Sequence, residues 1–70
     1  MKVKLKRNDL YPVIEIEDVD NPTEVATYMC HGILPEKMSL EFNGATYHFA
    51  TANERIQWAL GFQASWEFRQ

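Results

Sequence analysis

No disulfide can close within this chain, because Cys30 is its only cysteine. A lone thiol points to a reducing compartment, so a cytoplasmic location is the expectation. Glycine is scarce as well, with three in all, and none sits in a Gly-rich phosphate loop. A G-x-S-x-G elbow and an H-E-x-x-H helix are missing too, so catalysis has no support and the chain reads as non-enzymatic. No apolar run approaches the roughly 18 residues of a membrane-spanning helix, and the opening Met-Lys-Val-Lys-Leu-Lys lacks the apolar segment of a signal peptide. Cations are outnumbered, seven against ten acidic residues for a net charge of −3. Nonspecific duplex binding draws its affinity from excess Lys and Arg, which this balance does not supply.

Metal chemistry fails on spacing. Zinc takes four ligands, usually in pairs two to four residues apart, whereas Cys30, His31 and His48 offer three candidates with one adjacent pair. Adjacent helical residues diverge by about 100°, which also separates Cys30 from His31 as a nucleophile and its base. The acidic run Glu15, Glu17, Asp18, Asp20, Glu24 lacks the spacing and the turn glycine of a calcium loop. No metal or cofactor is expected.

What the sequence does hold is apolar and aromatic. Residues of hydrophobic type make up 46%, among them two tryptophans, three tyrosines and four phenylalanines, which excludes wholesale disorder. Seventy residues make one compact α+β domain, 1–70, and at that length only about 60% of the unfolded surface is buried. Without disulfide or metal, association is the remaining way to add stability.

The clearest local signals lie between Met38 and Leu60. Leu40 and Phe42 alternate with Ser39 and Glu41, then Asn43-Gly44 is followed by Tyr47 and Phe49 alternating with Thr46 and His48. Asn-Gly is the favoured two-residue hairpin turn because both central residues need φ > 0. Thr51 with Glu54 has the capping-box spacing, so a helix starts near Ala52 with Ile56, Ala59 and Leu60 as its inward stripe.

Upstream, Lys2-Val3-Lys4-Leu5-Lys6 and Ile14-Glu15-Ile16-Glu17 alternate, with Asn8, Asp9 and Pro12 supplying turn chemistry between them. The economical reading is a first hairpin with Val3, Leu5, Ile14 and Ile16 inward. Its outer face then opposes three lysines to two glutamates, a solvated charge ladder rather than a phosphate-binding ribbon. Asn21-Pro22-Thr23-Glu24 starts another helix, with Val25, Tyr28 and Met29 inward, running to about His31. Gly32 is expected as its left-handed terminator, with Ile33 closing over it.

The order is therefore ββα-ββα: two antiparallel β-hairpins packed with two short helices. The shared capping pattern of the halves reads as convergent chemistry rather than duplication. Two readings stay open for 62–69. A helix continuing through Gly61 stacks Trp58, Phe62 and Trp66 at i, i+4, i+8. A stop at Gly61 gives a fifth strand instead, with Phe62, Ala64, Trp66 and Phe68 alternating against Gln63, Ser65, Glu67 and Arg69. The strand is favoured, since glycine inside a helix costs about 1 kcal/mol relative to alanine.

Phe42, Phe49 and Leu60 are expected in the core, and at least one of Trp58, Phe62 and Trp66 outside it. Trp and Tyr are enriched at interface hot spots. The expected function is thus a small non-catalytic interaction module, an accessory, regulatory or inhibitor subunit or a homodimer. Its contacts would be Tyr47, Trp58, Phe62, Trp66 and Phe68, and its partner another protein or a second copy, with no membrane, metal or nucleic acid. The alternative is a single-stranded nucleic-acid binder, stacking bases on Tyr47, Trp58 or Trp66 beside Lys2, Lys4, Lys6 and Arg7. In length, acidity and want of targeting signals the chain resembles small accessory proteins of bacteria and their phages, a likeness of size and composition.

Overall fold

The computed structural model describes residues 1–7 and 11–69, with the backbone course alone for residues 7 and 66–69. The chain runs β1 (Lys2–Arg7), β2 (Pro12–Glu17), α1 (Pro22–His31), β3 (Met38–Phe42), β4 (Ala45–Phe49) and α2 (Ala52–Arg69). The expected α+β class and element order hold. The four strands form one sheet in the order β1-β2-β3-β4.

Both hairpins are antiparallel, with Val3 opposite Ile16 and Leu40 opposite Tyr47. The expectation of an antiparallel sheet throughout fails at the centre, where β2 and β3 are parallel, Ile14 beside Leu40. The cause is the connection. α1 carries the chain back along the sheet, so β3 starts at the end where β2 started, which makes neighbouring strands parallel. The second hairpin turns on Asn43 at φ 56° and Gly44 at φ 80°, the left-handed pair that a two-residue turn demands. The turn chemistry assigned to Asn8 and Asp9 lies outside the described residues.

The start of α1 follows its sequence signal: Asn21 Oδ1 accepts a 3.0 Å bond from the Thr23 N–H, with Pro22 in the first turn. Its end does not. Gly32 is extended (φ −67°, ψ 155°) rather than left-handed, and Ile33 is fully exposed instead of closing over it. Glycine is required there by crowding, because a Cβ on Gly32 would stand 2.6 Å from the Tyr28 carbonyl oxygen.

α2 begins where the capping signal placed it. Thr51 Oγ1 accepts from the Glu54 N–H at 3.2 Å, and Glu54 Oε2 accepts from the Ala50 N–H at 2.7 Å. From the linker before β3, Glu36 Oε2 takes the Ala52 N–H at 2.9 Å, adding a second carboxylate at the positive end of the helix. The fifth strand does not form, for α2 continues through Gly61 to Arg69. Extending a formed helix adds a hydrogen bond per residue with no new nucleation. The continuation also stacks Trp58 on Phe62, planes 15° apart and centroids 5.2 Å, a contact that needs helical spacing across Gly61.

The core lies between the sheet and the two helices: Ile14, Ile16, Val25, Met29, Met38, Leu40, Phe49 and Ala59. Within α2 the inward set is shifted from the expected one. Ala59 is buried and Ile56 half-buried, but Leu60 is 50% exposed and Arg55 is buried in its stead. The Arg55 guanidinium donates to the Met29 carbonyl in the last turn of α1, where a cation meets the negative end of that helix. Val3 and Leu5 point to the helix side as expected, yet the helices do not reach β1 and both stay exposed.

Candidate functional site

Of the five residues expected at the contact surface, the structure brings three together. Tyr47 on β4 meets Trp58 on α2 at 4.9 Å between ring centroids, and Trp58 stacks on Phe62. Phe62 contacts Phe42 edge-on at 5.6 Å, and Phe49 lies 5.9 Å from Trp58. Phe49 is buried, while Phe42, Tyr47, Trp58 and Phe62 are half-buried and pack on the core, so Phe42 is less enclosed than expected. The cluster thus has one side in the interior and one in water.

Trp66 and Phe68 lie on the helical backbone of α2, and their side chains are outside the described residues. At about 100° per residue, position 66 continues the line of 58 and 62 and position 68 leaves it. By length, the end of α2 overhangs the sheet, since Phe62 already meets Phe42 at the turn end of β3 and seven helical residues follow it. Eighteen helical residues span roughly 27 Å, against about 17 Å for a five-residue strand, and the molecule measures 39 × 24 × 20 Å. Among the described residues, the last ring contact of α2 with the sheet is the one Phe62 makes with Phe42.

The opposite face of the sheet carries charge. Lys4 Nζ lies 3.4 Å from Glu17 and 4.0 Å from Glu15, and Lys6 Nζ bridges Glu15 at 2.5 Å and Glu41 at 3.0 Å. The Glu15 carboxyl is held at about 2 by its hydrogen bond with Glu17 and then by the Lys6 ammonium. Lys6 is raised above its ordinary value by hydrogen bonds to Glu15 and Glu41. This is the expected ladder, extended to β3 by Glu41.

Sequence reasoning missed a polar group on the same face. Ser39 Oγ and His48 Nδ1 are hydrogen-bonded at 2.6 Å, and the Tyr11 hydroxyl lies 3.3 Å from the same nitrogen. Lys37 stands 5.6 Å from the centroid of the Tyr11 ring. The Asn43-Gly44 turn could have revealed the Ser39–His48 pair, since it sets them opposite each other; Tyr11 and Lys37 carry no such signal. The distance suits a nucleophile and its base. Ser39 is buried, however, which closes its hydroxyl to a substrate in this arrangement.

Cys30 is half-buried on α1, across the sheet from His48. Among the described residues no group of three His, Cys, Asp or Glu side chains could hold a metal ion, and no helix is long and apolar enough to cross a membrane. No family model matches this chain, and no curated protein or solved structure is detectably similar to it, so the functional reading rests on its own geometry.

Proposed function

We infer that this chain is a non-catalytic interaction module of the cytoplasm, an accessory or regulatory subunit or a homodimer, which contacts another protein or a second copy through the aromatic line of α2. The observation that carries this reading is the overhang. Trp58 and Phe62 leave one side in water, and α2 runs on from them past the sheet with Trp66 next on the same line. Each Å² of apolar surface gains roughly 25 cal/mol when a partner covers it.

A single-stranded nucleic-acid surface would need rings and cations together. Tyr47 and Trp58 stand on the helix side of the sheet, while Lys4 and Lys6 stand on the other, against glutamates. Oligonucleotide binding that weakens steeply with salt would favour that second reading.

The experiment is light scattering and sedimentation on the wild type and on Trp66→Ala. The wild type is expected to self-associate or to co-purify with one protein, and the substitution to abolish that association with the melting temperature nearly unchanged. A wild type that remains monomeric and binds nothing, or a Trp66→Ala variant that unfolds, overturns the reading.

A further inference from the structure

The edge of the sheet at β1 has the form of a second, separate contact site. β1 ends the strand order, so one side is paired with β2 and the other has no strand beside it among the described residues. Alternate N–H and C=O groups of an edge strand point outward and can be paired by an added strand. On the helix side of β1, Met1, Val3 and Leu5 are 41%, 38% and 57% exposed. A shallow groove between Met1 and α1, lined by Thr27 and Tyr28, continues that strip.

The chemistry of the other face selects the occupant. Lys2, Lys4 and Lys6 project there, and an added strand would set its own side chains beside them. Lys4 and Lys6 are about half exposed beyond their existing carboxylate contacts, and Lys2 has no ion pair among the described residues. A second copy is a poor occupant. Two-fold antiparallel pairing of β1 with itself, keeping the faces continuous, sets Lys4 against Lys4 and Lys2 against Lys6 when centred on Lys4, Lys2 against Lys4 when centred on Val3, or Lys4 against Lys6 when centred on Leu5, and like charges directly opposite are destabilising. The molecule already contains the complementary pattern in β2, whose Ile14, Glu15, Ile16 and Glu17 lay apolar groups on Val3 and Leu5 and carboxylates on the lysines.

We propose that β1 accepts, as an added strand on its free edge, an extended segment of a partner protein in which glutamate or aspartate alternates with β-branched apolar residues. The site stands apart from the α2 surface and does not depend on it.

The test uses the full chain and a fluorescein-labelled peptide copying residues 12–18. Saturable binding is expected, with amide shifts concentrated in residues 1–7 and affinity falling as salt is raised. A lysine-for-acid version of the peptide, and one N-methylated at alternate residues to remove its donors, are expected not to bind. Leu5→Thr should weaken binding about fivefold or more, and Trp66→Ala should leave it unchanged. If Leu5→Thr fails to fold, the two altered peptides decide the matter. Equal binding of the N-methylated or charge-reversed peptide, shifts that fall on α2 instead, or no saturation up to about 1 mM peptide overturns the proposal. So does a free protein that is already dimeric through β1.

Discussion

Gly32 and Gly61 look alike in sequence, each following about ten residues of helical pattern, but alanine is expected to move stability in opposite directions at the two positions. At Gly61 nothing lies within 4 Å of an added Cβ, and the residue is exposed inside α2. Gly61→Ala should therefore recover most of the intrinsic helix penalty, about 0.5–1 kcal/mol, and raise the melting temperature by a few degrees. At Gly32 the same methyl meets the Tyr28 carbonyl oxygen at 2.6 Å, so Gly32→Ala should lower it. Thermal unfolding of the two variants side by side checks both. Arg55 shows where reading by residue type fails. Its aliphatic stem fills a core position next to Ala59, and its guanidinium caps the carbonyl of Met29, while Nε has no partner among the described residues. No local pattern marks an arginine for burial, because the group that receives it is 26 positions earlier in the chain. Arg55→Ala should cost about 2–3 kcal/mol in urea unfolding, from lost packing and an uncapped helix end together.

Elements were legible wherever one local force decided them, namely both hairpins and the start of each helix. They were not legible where two local readings were nearly equal in energy. From Phe62 onward, alternation favoured a strand and propagation favoured a helix. The Trp58–Phe62 stack, together with Phe62 on Phe42, decides for the helix against a glycine penalty of only about 1 kcal/mol. The charge ladder between β1 and β2 is an element-level feature with a definite pH signature. Glu15 has a folded value of about 2, below its ordinary 4.5. Its contribution is therefore complete above about pH 4.5 and is lost as the pH falls toward 2. Lys6 is raised above 10.5, so its contribution is complete below that value and lost as the pH rises through the higher folded one. Urea midpoints measured across pH should run level between these limits and fall on either side. In Glu15→Gln the acid limb should be shallower, and the added dependence on salt smaller, because these side chains are solvent-exposed.

On the scale of the whole molecule, the sheet is wider than its helix layer at β1, and α2 is longer than the sheet beyond Phe62. Both leave apolar or pairing capacity over, as the free edge of β4 also does. The total was foreseeable from composition, since a chain of this length cannot enclose its nine rings and its aliphatic strands at once. Its distribution was not, because that depends on how far two helices, packed against each other, reach across four strands. Of the expected contact set, Tyr47, Trp58 and Phe62 turned out to share a surface because β4 and α2 are adjacent in space as well as in sequence. The inward placement of Val3 and Leu5 was right in direction but left uncovered. If the part of α2 beyond Gln63 serves contact rather than stability, a chain ending at residue 63 should keep the Phe42–Phe62 and Tyr47–Trp58 contacts and every residue of the core cluster. Such a chain should then unfold in urea within about 1 kcal/mol of the full chain, since a terminal segment that does not serve stability adds little. It should also sediment as a monomer under conditions in which the full chain associates. Loss of cooperative unfolding in the shortened chain would show that the terminal turns hold the helix layer on the sheet, and would remove the overhang as a reason to look for a partner there.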